Sequence, residues 1–160
     1  IKRLYDAPQE RTRLPQMSAA IRLTEDIVSV DWLAFCVLFQ RAGLGERNPA
    51  VAQAVFAGSY ACCFAWDGAT LIGAARAISD GVNSSVIYDV VVEPAYQGQG
   101  VGKVLMRNLL GRLPKRSVML VSVHGKEGFY RKLGFRKLRT AYMLQDDFSA
   151  WSNMGYFDEE

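Results

Sequence analysis

The chain is 160 residues long, half of them hydrophobic and 22% charged, with 19 lysines and arginines against 16 aspartates and glutamates for a formal charge of +3. Such a length and composition predict one globular domain with a proper core and exclude a disordered or low-complexity chain. The mild positive charge would help attract an anion but gathers into no basic stripe, which argues against nucleic-acid binding, and no apolar run approaches a membrane span.

Residues 1–18, with Lys2, Arg3, Pro8 and Pro15, read as an N-terminal extension too charged for a signal sequence. Folding is expected from about Ala20, where Ile21, Leu23 and Ile27 alternate as a first strand. Asp31 is placed to cap a helix carrying Trp32, Leu33, Phe35, Cys36, Leu38 and Phe39 and closed by Gly43. Asn48-Pro49 starts a second helix, with Val51, Ala54 and Val55 as its apolar face before Gly58. Two β-prone runs, 60–65 and 70–78, flank Asp67-Gly68 and predict a hairpin, and Gly81 and Asn83 turn the chain into a third antiparallel strand over 85–92. A helix over about 100–113, a strand over 118–123, a short helix over 127–133 and a last strand over 138–144 complete an α+β order. In the tail, 146–160, Trp151, Tyr156 and Phe157 could dock onto the body or onto a second copy as a homodimer.

The three cysteines, Cys36, Cys62 and Cys63, form no C-x-x-C pair and lie in apolar stretches, so they read as buried reduced thiols in a cytoplasmic protein. His124 is the single histidine, which leaves neither a zinc site nor a Ser-His-Asp triad any visible partners; no metal is expected.

The densest information lies in Asp89-Val90-Val91-Val92-Glu93-Pro94-Ala95-Tyr96-Gln97-Gly98-Gln99-Gly100-Val101-Gly102-Lys103. An apolar strand stops at a proline, turns through alternating glycines and enters a helix with Val101, Val104, Leu105, Leu109 and Leu110 at helical spacing. Glycines permit positive φ and close approach, and a helix's first-turn N–H groups suit phosphate, so a diphosphate-bearing ligand is the first reading. A ligand-free strand-to-helix turn also favours glycine. The dinucleotide fingerprint G-x-G-x-x-G fails on spacing, and no carboxylate follows on the strand over 117–123; the P-loop pattern fails at Gln97 and Val104.

Q-x-x-G-x-G after a V-x-P strand end resembles the acetyl-CoA loop of the GNAT superfamily of N-acetyltransferases. A second block, Gly125-Lys126-Glu127-Gly128-Phe129-Tyr130-Arg131-Lys132-Leu133-Gly134-Phe135, is similar to the family's late helix ending in Y-x-x-x-G-F. The resemblance runs from about Ala20 to Leu144, is carried by 86–110 and 125–135, and places an acetyltransferase domain over 19–145. It implies the GNAT fold: a mixed, mostly antiparallel sheet with helices on both faces and a splayed central strand. Acetyl-CoA is the implied cofactor. Val90, Val91 and Val92 would bond its pantetheine arm through main-chain groups. Gln97, Gly98, Gln99, Gly100, Val101 and Gly102 would surround the pyrophosphate, with Lys103 or Arg107 near phosphate oxygens and Lys126, Phe129 and Tyr130 as further contacts. Many family members carry asparagine seven residues before the tyrosine, where this chain has Val123; Lys126 could substitute.

Acetyl transfer to an amine needs a neutral amine, a stabilised oxyanion and a proton for the departing thiolate. The resemblance gives the last role to Tyr130, whose phenol stays protonated at neutral pH. Asp89 and Glu93, beside the reactive strand, are the candidate bases, although each also reads as an ordinary strand-end carboxylate. The centre of the chain, Arg76 to Gly81 followed by Tyr88 to Gly100, is similar to the branch holding plant plastid serotonin N-acetyltransferases and bacterial relatives, which implies a small primary amine as partner. Direct transfer in a ternary complex is expected, since no cysteine sits in a nucleophile setting. Peptide acetylation and a non-catalytic acyl-CoA sensor are the rivals.

Overall fold

Five strands lie side by side in the order in which the chain makes them, in a computed structural model that describes residues 21–114 and 117–157. The expected extension over 1–18 lies outside the described residues. The chain forms two units, Ile1–Val121 and Ser122–Glu160.

The first unit holds the sheet: β1 (Arg22–Thr24), β2 (Ala61–Asp67), β3 (Thr70–Ser79), β4 (Ser84–Val92) and β5 (Ser117–Leu120), with helices α1 (Trp32–Arg41), α2 (Pro49–Ala57) and α3 (Val101–Arg112). All neighbours run antiparallel except β4 and β5, which are parallel. The sheet is therefore mixed and mostly antiparallel, as the resemblance implies, because tight turns join β2, β3 and β4 while α3 supplies the crossover that a parallel pair requires. Alternate residues of β2 face opposite sides. Cys62, Phe64 and Trp66 pack with Phe35, Phe39 and Phe56 of α1 and α2, while Cys63 and Ala65 pack with Val101 and Leu105 of α3. Helices thus cover both faces.

The helix starts follow the predicted chemistry. Asp31 accepts from the backbone N–H of Leu33 and Ala34, and Asn48 accepts from Ala50 and Val51 with Pro49 in the first turn. These side chains satisfy donors that a helix leaves without partners, at about 1 kcal/mol each. Gly73 sits where a side chain would be crowded: a Cβ there would lie 2.9 Å from Leu105 Cδ1 and 3.0 Å from the Val91 carbonyl oxygen.

Several expectations need correction. Ile27 is not in the first strand; the carboxylate of Asp26 accepts from the Val28 N–H and bends the chain there, so Ile27 packs against the core from a turn. The inner face of α2 is Ala52 and Phe56, not Val51 and Ala54, because Phe56 brings the large ring that stacks on Phe64 at 5.4 Å. Val104 of α3 is exposed, and Met106 takes the buried position. The hairpin turn is Gly68-Ala69, one residue later than Asp67-Gly68, since Asp67 pairs with Thr70. β5 stops at Leu120, short of Val123.

The second unit carries α4 (Glu127–Lys132) and α5 (Ser149–Asn153). The expected strand over 138–144 does not form: no neighbour supplies a ladder there among the described residues, and Tyr142 and Leu144 are almost fully exposed. In the tail, Trp151 and Tyr156 pack on each other, and Tyr156 also stacks on His124, whose Nε2 lies 3.0 Å from the Gly155 carbonyl oxygen.

Candidate functional site

β4 pairs with β5 only from Ser84 to Ile87, and no ladder bond reaches Tyr88–Val92 on that side among the described residues. Along the end of the strand, at Val90, Val91 and Val92, the side away from β3 therefore carries no ladder partner, although the Val92 carbonyl accepts from Gln97. Against β3 the same stretch carries a bulge. Ala74 pairs with Val91 and Arg76 with Tyr88, so Asp89 and Val90 together oppose Ala75. Asp89 is the one described residue other than glycine with positive φ, at 52°.

Asp89 sits in this bulge with its side chain 7% exposed. Its Oδ1 pairs with Arg47 at 2.9 Å and its Oδ2 with Nε of Arg76. Glu93 is bonded through Oε1 to Arg41 at 2.8 Å. Both candidate bases are thus drawn toward arginines on the face covered by α1 and α2. The sequence reading missed those arginines; the available signal was a lone charge in each of two adjoining apolar strands, Arg76 in β3 and Asp89 in β4, a pattern that calls for a buried pair.

After Glu93 the chain makes a 3-10 turn, Pro94–Tyr96, and the Tyr96 hydroxyl donates to Asp67 Oδ2 at 2.8 Å, tying the turn to the β2–β3 hairpin. Gln97 Nε2 donates to the Val92 carbonyl at 3.0 Å, and Gln99 Nε2 to the Ala95 carbonyl at 2.7 Å. Gly98 and Gly100 have φ of 76° and 91°, and a Cβ on either would meet nothing within 4 Å. Gly100 is the N-cap of α3 and, having no side chain, supplies no cap bond to the helix that starts with Val101, Gly102 and Lys103. An open, left-handed glycine turn before an uncapped helix fits a diphosphate. Lys103 and Arg107 are exposed on that helix.

In the second unit, Lys126 precedes α4, and Phe129 and Tyr130 lie on it with ring centroids 5.0 Å apart. Phe135 meets Tyr130 edge-on at 6.1 Å. Burial pushes the Tyr130 phenol above its ordinary value near 10, so it keeps its proton at neutral pH.

All three cysteines are free and buried. Removal from water pushes the Cys63 thiol up to about 11 and raises those of Cys36 and Cys62 as well. A thiol held protonated in the core is a poor nucleophile. Among the described residues no three His, Cys, Asp or Glu side chains gather as a metal-binding group, and no helix is long and apolar enough to cross a membrane.

Residues 38–154 match the model of the acetyltransferase (GNAT) domain, and the chain belongs to that family. Among curated relatives, a Glycine max protein named histone acetyltransferase TAP1 is 44% identical over 68 residues, 41% of this chain and 29% of that one. A chloroplastic protein of Oryza sativa named serotonin N-acetyltransferase 2 is 44% identical over 64 residues, 38% of this chain and 32% of its own. The matched part of the chain spans well under half the length of these relatives. A probable acetyltransferase of unknown function from Staphylococcus aureus superposes with a TM-score of 0.71 at 24% identity, covering 80% of this chain and all of the other, which establishes the shared fold.

Proposed function

We propose that this chain transfers the acetyl group of acetyl-CoA directly to a small primary amine in a ternary complex. The observation that carries this reading is the uncapped start of α3 behind two left-handed glycines with open space above them. Backbone amides gathered there would hold the coenzyme's diphosphate, through Gln97, Gly98, Gln99, Gly100, Val101, Gly102 and Lys103. The open edge of β4 at Val90, Val91 and Val92 suits an extended amide-bearing arm. Lys126 and Phe129 are assigned coenzyme contacts by their place in the motif.

In the transfer the amine nitrogen would bond to the thioester carbonyl carbon as the carbon–sulfur bond breaks, the thiolate would take a proton from the Tyr130 hydroxyl, and the proton shed by the new amide nitrogen would restore the phenol. The phenol's burial supports that donor role. An alkylammonium of pKa ~10 is neutral about one time in a thousand at pH 7, a cost of roughly 4 kcal/mol, so a carboxylate must accept its proton, directly or through water. Glu93 is the better placed: its partner Arg41 has a side chain 62% exposed and able to swing away, whereas both Asp89 oxygens are held. Three buried thiols without a disulfide suit a reducing compartment such as the cytoplasm.

Calorimetry with acetyl-CoA, followed by a thiol-release screen over aryl amines, alkyl amines and polyamines, tests the reading. Saturable coenzyme binding with release accelerated by one amine class supports it. Binding without acceleration by any acceptor would point to an acyl-CoA sensor. A peptide panel run in parallel tests the second reading, acetylation of a protein amine, which the likeness to the Glycine max protein named histone acetyltransferase TAP1 favours.

A further inference from the structure

Four observations meet at one residue. Asp89 is the non-glycine residue in the left-handed region, it begins the β4 bulge, its carboxylate is buried with both oxygens engaged, and pairing with β5 ends two residues before it, at Ile87. The two arginines come from separate elements. Arg76 belongs to β3, donates through Nη1 to Ser59 Oγ at 3.3 Å and lies 5.0 Å from the Tyr88 ring centroid. Arg47 belongs to the loop between α1 and α2 and lies 4.2 Å from the Phe39 ring centroid. A bulge adds one residue to one strand, and because side chains alternate, that residue decides which way everything after it faces. Here Val91 joins the cluster under α1 and α2, and Val92 joins the one under α3. Without the extra residue the two would exchange faces and their main-chain groups would turn with them.

We propose that Arg47, Asp89 and Arg76 form a clasp that holds the β4 bulge in register, making Asp89 a positioning residue that aims the main-chain groups of Val90–Val92 along the open edge. The clasp rests on the acetyltransferase reading for its purpose but not for its existence. The bond that each arginine makes to this strand's bulge is to Asp89.

Hydrogen exchange read by mass spectrometry over residues 86–92, without any ligand, tests the clasp in the whole chain. Asp89→Asn keeps the size and the tolerance of positive φ while removing the charge, and Arg47→Met keeps the contact with Phe39; each is expected to speed exchange there about tenfold. Should Asp89→Asn fold poorly, Arg47→Met decides alone, since Arg47 lies in a loop. In kinetics, a positioning loss persists at pH 10, whereas loss of a proton acceptor is repaired there because the amine deprotonates unaided. Unchanged exchange in the folded variants would overturn the clasp, as would full recovery of Asp89→Asn at pH 10. A wild-type protein that neither binds acetyl-CoA nor releases thiol would sink the acetyltransferase reading instead, with the exchange result still deciding the clasp.

Discussion

Tyr130 carries a phenol whose ionisation is held back by burial. Its folded phenol titrates above the ordinary value, so the protonated form is the one the fold favours, and the donor role proposed for it should persist through neutral and mildly alkaline pH. The turnover profile is expected to fall only above pH ~10, as the phenol ionises. Tyr130→Phe removes the proton and keeps the ring, so kcat should drop about a hundredfold while acetyl-CoA affinity in calorimetry changes less than about twofold. Equal turnover in the variant would take Tyr130 out of the mechanism. Cys63 makes a companion case without a reactive role. Its folded thiol sits near 11 against an ordinary 9. The stability this contributes is fully present below pH 9 and is lost as pH rises through 11, because the unfolded thiol ionises first. Thiol-reactive dye should label native protein slowly at pH 8 and reach three equivalents only after unfolding.

At the scale of elements, helix starts and the glycine turn were legible from sequence, and strand ends were not. Asp31 and Asn48 announce their helices because capping is local chemistry between residues two and three apart. Asn48→Ala should cost about 1 kcal/mol in a denaturation midpoint, with little effect on coenzyme binding. The turn through Gly98 and Gly100 was readable for the same reason: the backbone angles are fixed by the residues themselves. Gly100→Val places a β-branched side chain at φ of 91°, which should weaken acetyl-CoA binding about tenfold or more while circular dichroism stays native. Strands depend on what lies beside them. The run over 138–144 has strand-like residues and no ladder, and β5 stops at Leu120 although apolar residues continue to Val123. Nor could the bulge be read in advance, since it is a relation between β3 and β4. The clasp was half visible, as Asp89 and Arg76, but Arg47 stands 42 positions before Asp89 and only the fold unites them.

Across the whole molecule, the sheet is covered on two sides by helices of different length and origin, and the junction that tolerates least change is Gly73. A Cβ added there would meet Leu105 from α3 and the Val91 carbonyl from β4. Gly73→Val should therefore destabilise the fold by about 1–3 kcal/mol and shift the thermal midpoint accordingly. The loss should be felt through Val91 in one cluster of the core and Val101 in the other. Family membership and fold were thus largely recoverable from two short blocks, while the aromatic rings of α1 and α2 belong to the core.

A sheet that stops being zipped halfway along a central strand has a thermodynamic signature of its own. Between Tyr88 and Val92 the side of the strand away from β3 has no ladder partner among the described residues. A guest with peptide-like linkages would complete the hydrogen bonding there as a surrogate strand, shedding water and stiffening the crossing of both layers. Saturating coenzyme should consequently raise the melting temperature in proportion to the logarithm of its concentration.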